Sequence, residues 1–345
     1  MKIVLVTDAW YPQVNGVVRT LNTVAEHMRA DGHDVLTVTP DLFRTIPCPT
    51  YPEIRLALRP KPHMHKLITA FGPDAIHIAT EGPLGQAAQS ICRAEGWPLT
   101  TSFHTKFPEY IHARARIPVA WTYAWMSRFH GRAERVMVAT ATIDRELRGW
   151  GFDNTVRWTR GVDTELFRPR PHDEWPAAFE ALPRPIQLYT GRVAVEKNIS
   201  AFLELDTPGT KVVVGDGPQR RELAAKFPDA IFAGEQHGEA LARHFAAADV
   251  FVFPSRTDTF GLVLLEALAS GIPVAAYPVP GPLDVVGHDG PGCLSEDLGY
   301  AVEMALETAD PEKCREHALR YSWARCVDLF MSYLAPISPD ARKAA

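Results

Sequence analysis

The sequence predicts an α/β protein with two doubly wound parallel sheets, and three observations predict it. Short apolar runs of strand length alternate with stretches of helical periodicity, the pattern of parallel sheets covered by helices. The alternation restarts after Arg160, and the proline-rich polar stretch RPRPHDEWP follows as a linker should. Finally, 345 residues exceed one typical core, while 46% hydrophobic content is ordinary for a soluble chain.

In chain order, KIVLVTD (2–8) is the first expected strand, an apolar run ending in polar residues. VVRTLNTVAEHMRADGH follows with helical apolar spacing and Gly32 near its stop. DVLTVTP (34–40), DAIHIAT (74–80), LTTSFHT (99–105) and VMVAT (136–140) complete the strands of the first domain. The second repeats the scheme with IQLYTGR (186–192), KVVVGDG (211–217), AIFAGE (230–235), VFVFPS (250–255) and PVAAYP (273–278). QRRELAAKF and GEALARHFAAA are helical stretches between them. The domain boundary is expected near 161–171, with a ligand between the domains at the carboxyl ends of strands. The tail SPDARKAA reads as frayed.

The net charge of −5 hides an asymmetry. Residues 1–160 carry 19 Lys and Arg against 14 Asp and Glu; the remainder carries 17 against 27. A basic half suits an anionic membrane surface or an acidic acceptor, although charge also drifts between ordinary domains. No apolar run approaches the roughly 18–20 residues needed to span a bilayer. The N-terminal run reads as a strand, without the features of a signal peptide. Five scattered cysteines without CxxC spacing fit a reducing cytoplasm and argue against structural zinc or disulfides. No DxD or HExxH marks a metal site, and no GxSxG marks a serine nucleophile. No nucleic-acid motif accompanies the basic charge.

FPSRTDTFGLVLLEALASG (253–271) is the most informative stretch. It reads as a strand end, a polar turn and an apolar helix, with Asp258 on the loop and Glu266 about two turns inside the helix. The helix N-terminus between them offers free backbone N–H groups to an anion. An anion flanked by two hydroxyl-binding carboxylates suits a nucleotide diphosphate-sugar. The plainer alternative makes Asp258 a cap and Glu266 a solvated charge.

Other candidates end strands. Gly16, in TDAWYPQVNGVVRTL, either lets phosphate approach the backbone or is a plain Asn-Gly turn residue. In GRVAVEKN (191–198), Arg192 and Lys197 are placed to clamp a diphosphate, unless both are solvated surface cations. Gly215 and Gly217 make a turn, and Gly215 also offers close approach to a nucleotide. His104 ends the fourth strand, where it can bond a sugar hydroxyl or phosphate, the alternative being a structural histidine, one of 13 in the chain. Residues 107–135 interleave Tyr110, Trp121, Tyr123 and Trp125 with Arg114, Arg116, Arg128, Arg132 and Arg135. That mixture suits peripheral contact with a membrane, the alternative being aromatics packed inward. RPKPHMHK (59–66) adds basic character.

TDAWYPQVNGVVRTL, SFHT, GVDTELFRP, TGRVAVEKN, VVGDGP, FPSRTDTFGLVLLEALASG and the late YSW, in this order, resemble the retaining glycosyltransferases of GT-B fold. The similarity is to the family-four group of bacterial mannosyl- and glucosyltransferases and covers nearly the whole chain. It implies two Rossmann-like domains facing a central cleft: an acceptor domain over 1–160 and a donor domain over 161–321. A helix from about 322 would cross back to the first. Gly16 would lie under the donor phosphates, and Arg192 and Lys197 would neutralise the leaving diphosphate. His104 would orient the donor sugar. Asp258 and Glu266 match the two acids of an E-x7-E motif, contacting sugar and ribose respectively. Backbone N–H groups of Phe260, Gly261, Leu262 and Val263 would face sugar and phosphate. Asp258 departs from the family's Glu and is one methylene shorter. The implied donor is a UDP- or GDP-linked hexose, with no metal or further cofactor. The favoured acceptor is a membrane lipid such as diacylglycerol, met at the inner face of the cell membrane. A polyprenyl-linked glycan or soluble sugar is the alternative acceptor. An epimerase would form product without acceptor, and a non-catalytic binding protein would release no nucleotide.

Overall fold

The architecture is that of a computed structural model, which describes every residue except 14, 49, 50, 110, 112–115, 344 and 345. The chain divides into two compact units, Met1–Thr159 with Ala324–Ala345, and Arg160–Trp323.

The first unit holds β1 (Lys2–Val6), β2 (Asp34–Val38), a hairpin of β3 (Thr45–Cys48) and β4 (Tyr51–Ala57), then β5 (Ala75–Ile78), β6 (Thr100–Phe103), β7 (Arg135–Val138) and β8 (Thr155–Arg157). Its sheet runs β2-β1-β5-β6-β7-β8, all parallel. Winding reverses between β1 and β5, so the loops leaving those strands diverge and open a crevice at their carboxyl ends. Ile3 to Val6 and Ile76 to Ile78 are buried on both faces, which is why these strands read as unbroken apolar runs.

Residues from Ala324 onward close this unit. Phe330, fully buried, packs against His77 and Trp158 at ring separations of 4.8 and 5.0 Å. Trp158 Nε1 donates to the Cys326 carbonyl at 2.9 Å, and the Ile337 amide to Asp74 at 2.7 Å.

The second unit holds β9 (Ile186–Thr190), β10 (Thr210–Val214), β11 (Ile231–Gly234), β12 (Val250–Phe253), β13 (Val274–Ala276) and β14 (Gly292–Leu294). The order β11-β10-β9-β12-β13-β14 is again parallel, with the winding reversed between β9 and β12. All ten expected strands are present; the β3–β4 hairpin, β8 and β14 were not expected. Among the described residues, no helix is long and apolar enough to cross a membrane.

Candidate functional site

In the second unit, the loops leaving β9 and β12 meet at the reversal point. Lys197 Nζ lies 2.6 Å from Asp258 Oδ1, with the two side chains 23% and 21% exposed. The remaining oxygen, Asp258 Oδ2, is buried without a hydrogen-bond partner among the described residues. Asn198, at φ 54°, donates from Nδ2 to the Pro254 carbonyl at 3.1 Å. Thr257 Oγ1 donates to the Glu196 carbonyl at 3.4 Å, so the two loops form one block. Tyr189 supports it from beneath, its hydroxyl donating to the Arg192 carbonyl at 2.9 Å. Burial, reinforced by the negative charges of Asp258 and Glu196, holds this phenol protonated well above its ordinary range.

The helix after the loop runs Leu262–Ala269 and starts at Gly261, φ 81°, with no side-chain cap. Asp258 is therefore not its cap. Glu266 is 2% exposed, which rules out a solvated surface charge. It lies just over one turn into the helix, which corrects the expected two turns: the helix begins four residues before it. Phe260 is buried, while Gly261, Leu262 and Val263 are partly exposed at the helix start, where amides lack intrahelical partners. Arg256 braces the same loop, its guanidinium 3.6 Å over the Tyr277 ring and paired with Glu296 at 2.9 Å.

Two glycines here are needed for chain to approach chain. A Cβ on Gly215, at φ 146°, would lie 1.9 Å from the Gly191 carbonyl oxygen. That neighbour accounts for the glycine, where the sequence suggested room for a nucleotide. A Cβ on Gly281 would lie 2.9 Å from the Phe260 oxygen and 3.1 Å from that of Asp258. Gly281 thus sets how closely the acid loop seats. Sequence spacing carried no signal for it, or for Tyr189.

The first unit carries the other candidates. Gly16 opens the helix Gly16–Ala30, and Asn15 caps it by accepting from the amides of Val17 and Val18 at 3.0 Å. The Asn-Gly pair is a helix start and not a plain turn. Asp8, just past β1, accepts from the amides of Leu84 and Gly85 and from the Thr80 hydroxyl, at 2.9, 3.3 and 2.9 Å. It supplies the cap that the helix Pro83–Glu95 lacks locally. Burial, with Glu81 adding repulsion, raises its carboxyl above the usual range. His104 follows β6, half-buried and edge-on to Trp158 at 6.0 Å. The same unit holds a buried hydrogen-bonded trio: His130 bonds Glu81 at 3.0 Å and Thr101 at 2.9 Å.

The aromatic, basic segment divides. Trp121 and Trp125 are exposed, but Tyr123 is buried, stacked on Trp150 at 4.5 Å and donating to Glu109 at 2.8 Å. This corrects the expectation that Tyr123 faces outward. Arg135 donates to the Tyr333 carbonyl and is structural, whereas Arg116, Arg128 and Arg132 are exposed. Tyr110 and Arg114 lie outside the described residues. The structure thus gathers Arg192, Lys197, Asp258 and the Glu266 helix on one unit, with Gly16 and His104 on the other. No group of three or more His, Cys, Asp or Glu among the described residues is arranged to hold a metal.

Comparison with known proteins agrees with this organisation. Residues 14–166 match the model for Glycosyltransferase Family 4, and 184–307 that for Glycosyl transferases group 1. A GDP-mannose-dependent alpha-mannosyltransferase of Mycolicibacterium smegmatis is 33% identical over 332 residues, covering 90% of this chain and 88% of that protein. An alpha-monoglucosyldiacylglycerol synthase of Streptococcus pneumoniae is 27% identical, covering 92% and 81%. In fold, the chain matches a sucrose-phosphate synthase from Thermosynechococcus elongatus with a TM-score of 0.79, at 22% identity over 96% and 98% of the two chains. Two Rossmann-like parallel-sheet units of this kind are the GT-B architecture of nucleotide-sugar glycosyltransferases. The chain belongs to glycosyltransferase family 4.

Proposed function

We propose that this glycosyltransferase moves a hexose, with retention at the anomeric carbon, from a nucleotide diphosphate-sugar to a membrane lipid such as diacylglycerol. GDP-mannose is the favoured donor, because the mannosyltransferase relative is named for it. The diacylglycerol synthase relative supports the lipid acceptor. The observation that carries the reading is the Lys197–Asp258 pair at the strand-reversal point, the lysine on a loop that also carries Arg192, with one carboxylate oxygen buried and without a hydrogen-bond partner among the described residues.

In this reading the bond from the anomeric carbon to the diphosphate oxygen breaks while the acceptor oxygen bonds that carbon on the same face. The acceptor proton passes to the leaving diphosphate. Arg192 and Lys197 take up the developing negative charge without a metal, through preorganised electrostatics. Asp258 Oδ2 accepts from a sugar hydroxyl, Glu266 from the ribose hydroxyls, and His104 orients the sugar. The amides of Phe260 to Val263 lie against the phosphates.

The test incubates pure protein with GDP-mannose or UDP-glucose and diacylglycerol in mixed micelles, followed by lipid mass spectrometry. A new hexosyl-diacylglycerol that Arg192→Ala abolishes supports the reading. Nucleotide release only with a soluble sugar or polyprenyl-linked glycan overturns the lipid acceptor. An epimerised donor without any acceptor overturns transfer itself.

A further inference from the structure

The helix Val119–His130 carries an outward face that its own unit leaves uncovered. Thr122, Tyr123, Met126, Phe129 and His130 form its buried face. At 100° per residue, Trp121, Ala124, Trp125 and Arg128 fall together on the opposite side, and all four are exposed. A surface helix normally turns polar residues outward. This one presents two tryptophans, 72% and 45% exposed, at an i, i+4 spacing. Each leaves a large apolar area in water, so the face is built for a partner.

Charge says which partner. From Arg116 to Ala133 the chain has three arginines and not one Asp or Glu. Arg116 and Arg132 flank the helix, Arg128 lies on the tryptophan face, and all three are exposed. A protein partner matched to so few hydrogen-bonding groups would need its own acidic, aromatic-accepting pocket. An anionic bilayer offers both properties at once: an apolar interior edge for indole rings and a layer of negative headgroups for guanidinium groups.

We infer that Trp121 and Trp125 insert at the headgroup level of an anionic membrane, with Arg116, Arg128 and Arg132 as the electrostatic contact. The inference deepens the lipid-acceptor reading, since it names the surface by which the enzyme would reach that acceptor. Its test is independent of catalysis. Full-length protein is sedimented with vesicles of phosphatidylcholine alone, or of phosphatidylcholine with about a third phosphatidylglycerol, without donor or diacylglycerol. Binding to the anionic vesicles only, with blue-shifted tryptophan emission, is expected. Raising the salt from about 0.05 to 0.5 M weakens the arginine contribution at least several-fold, as screening requires. Trp121→Ser with Trp125→Ser lowers partitioning about ten-fold or more, with an unchanged melting temperature and unchanged transfer to a detergent-dispersed acceptor. Equal partitioning of the double variant, or no binding by wild type, overturns the inference. So does a concentration-dependent dimer that the same double variant abolishes, which would make a second copy the occupant. Failure of lipid glycosylation with vesicle binding intact would instead count against the proposed acceptor alone.

Discussion

Asp258 uses one oxygen to hold Lys197 and keeps the other buried, without a hydrogen-bond partner among the described residues. Asp258→Asn retains the shape but removes the charge that fixes the lysine. It is expected to lower kcat by about 10²–10³-fold, with a smaller change in donor KM, in steady-state assays. Gly281 makes a different prediction. Gly281→Ala pushes against two backbone oxygens that have no flexible end to swing away. A displacement of a few tenths of an ångström at the acid loop is expected to cost about ten-fold in kcat/KM. A calorimetric melt alongside the kinetics separates this from simple unfolding. The acids were legible in the sequence, because their spacing across a strand–loop–helix junction has chemical meaning. The Lys197–Asp258 pairing was not, since it joins two loops far apart in the chain. Tyr189 and Gly281 were also invisible: the tyrosine acts through a hydroxyl that folds back onto the carbonyl of Arg192, and the glycine leaves room for backbone oxygens of a segment some twenty residues away.

At the scale of the element, caps and strand lengths explain both what could be read and what could not. Asn15→Ala removes the acceptor for two helix-start amides and is expected to cost about 1 kcal/mol, measurable by urea unfolding. Because that helix carries Gly16, donor KM should rise as well if the glycine touches phosphate. The central strands were legible because burial on both faces makes them continuous apolar runs. β8 and β14 were not, since three residues at a sheet edge give no run to detect. The β3–β4 hairpin was missed because Pro47 and Pro52 interrupt it, as edge strands allow. Two histidines give the second unit a pH dependence. His244, on the helix Gly238–Ala246, and His317, on Pro311–Ala318, both have pKa values lowered first by burial. A lowered histidine pKa means the fold disfavours the charged ring. This stability is fully present above the unfolded value of about 6.5 and is lost as pH falls below it. Melting temperature should therefore drop between pH 7 and 5.5, and His244→Leu should make that drop shallower.

For the whole molecule, the order of the two units along the chain has consequences for how each is completed. The first unit is not a continuous segment, because residues beyond Ala324 complete it. Ending the chain at Trp323 would strip Phe330 from Trp158 and His77, and leave the Trp158 indole N–H without its carbonyl. Burial of a phenylalanine alone is worth about 1.5–3 kcal/mol. Such a truncation is expected to unfold the first unit while the second keeps its own transition, a loss visible as one missing step in a calorimetric scan. The same arrangement sets an order of events on the ribosome. The second unit is one unbroken stretch, so all of it has been made before the residues that finish the first unit exist. Domains ordinarily fold from the N-terminus onward during synthesis. Here the later-made half is the first able to reach its final state, and the half made earliest must wait, with an incomplete core, for the last segment to arrive.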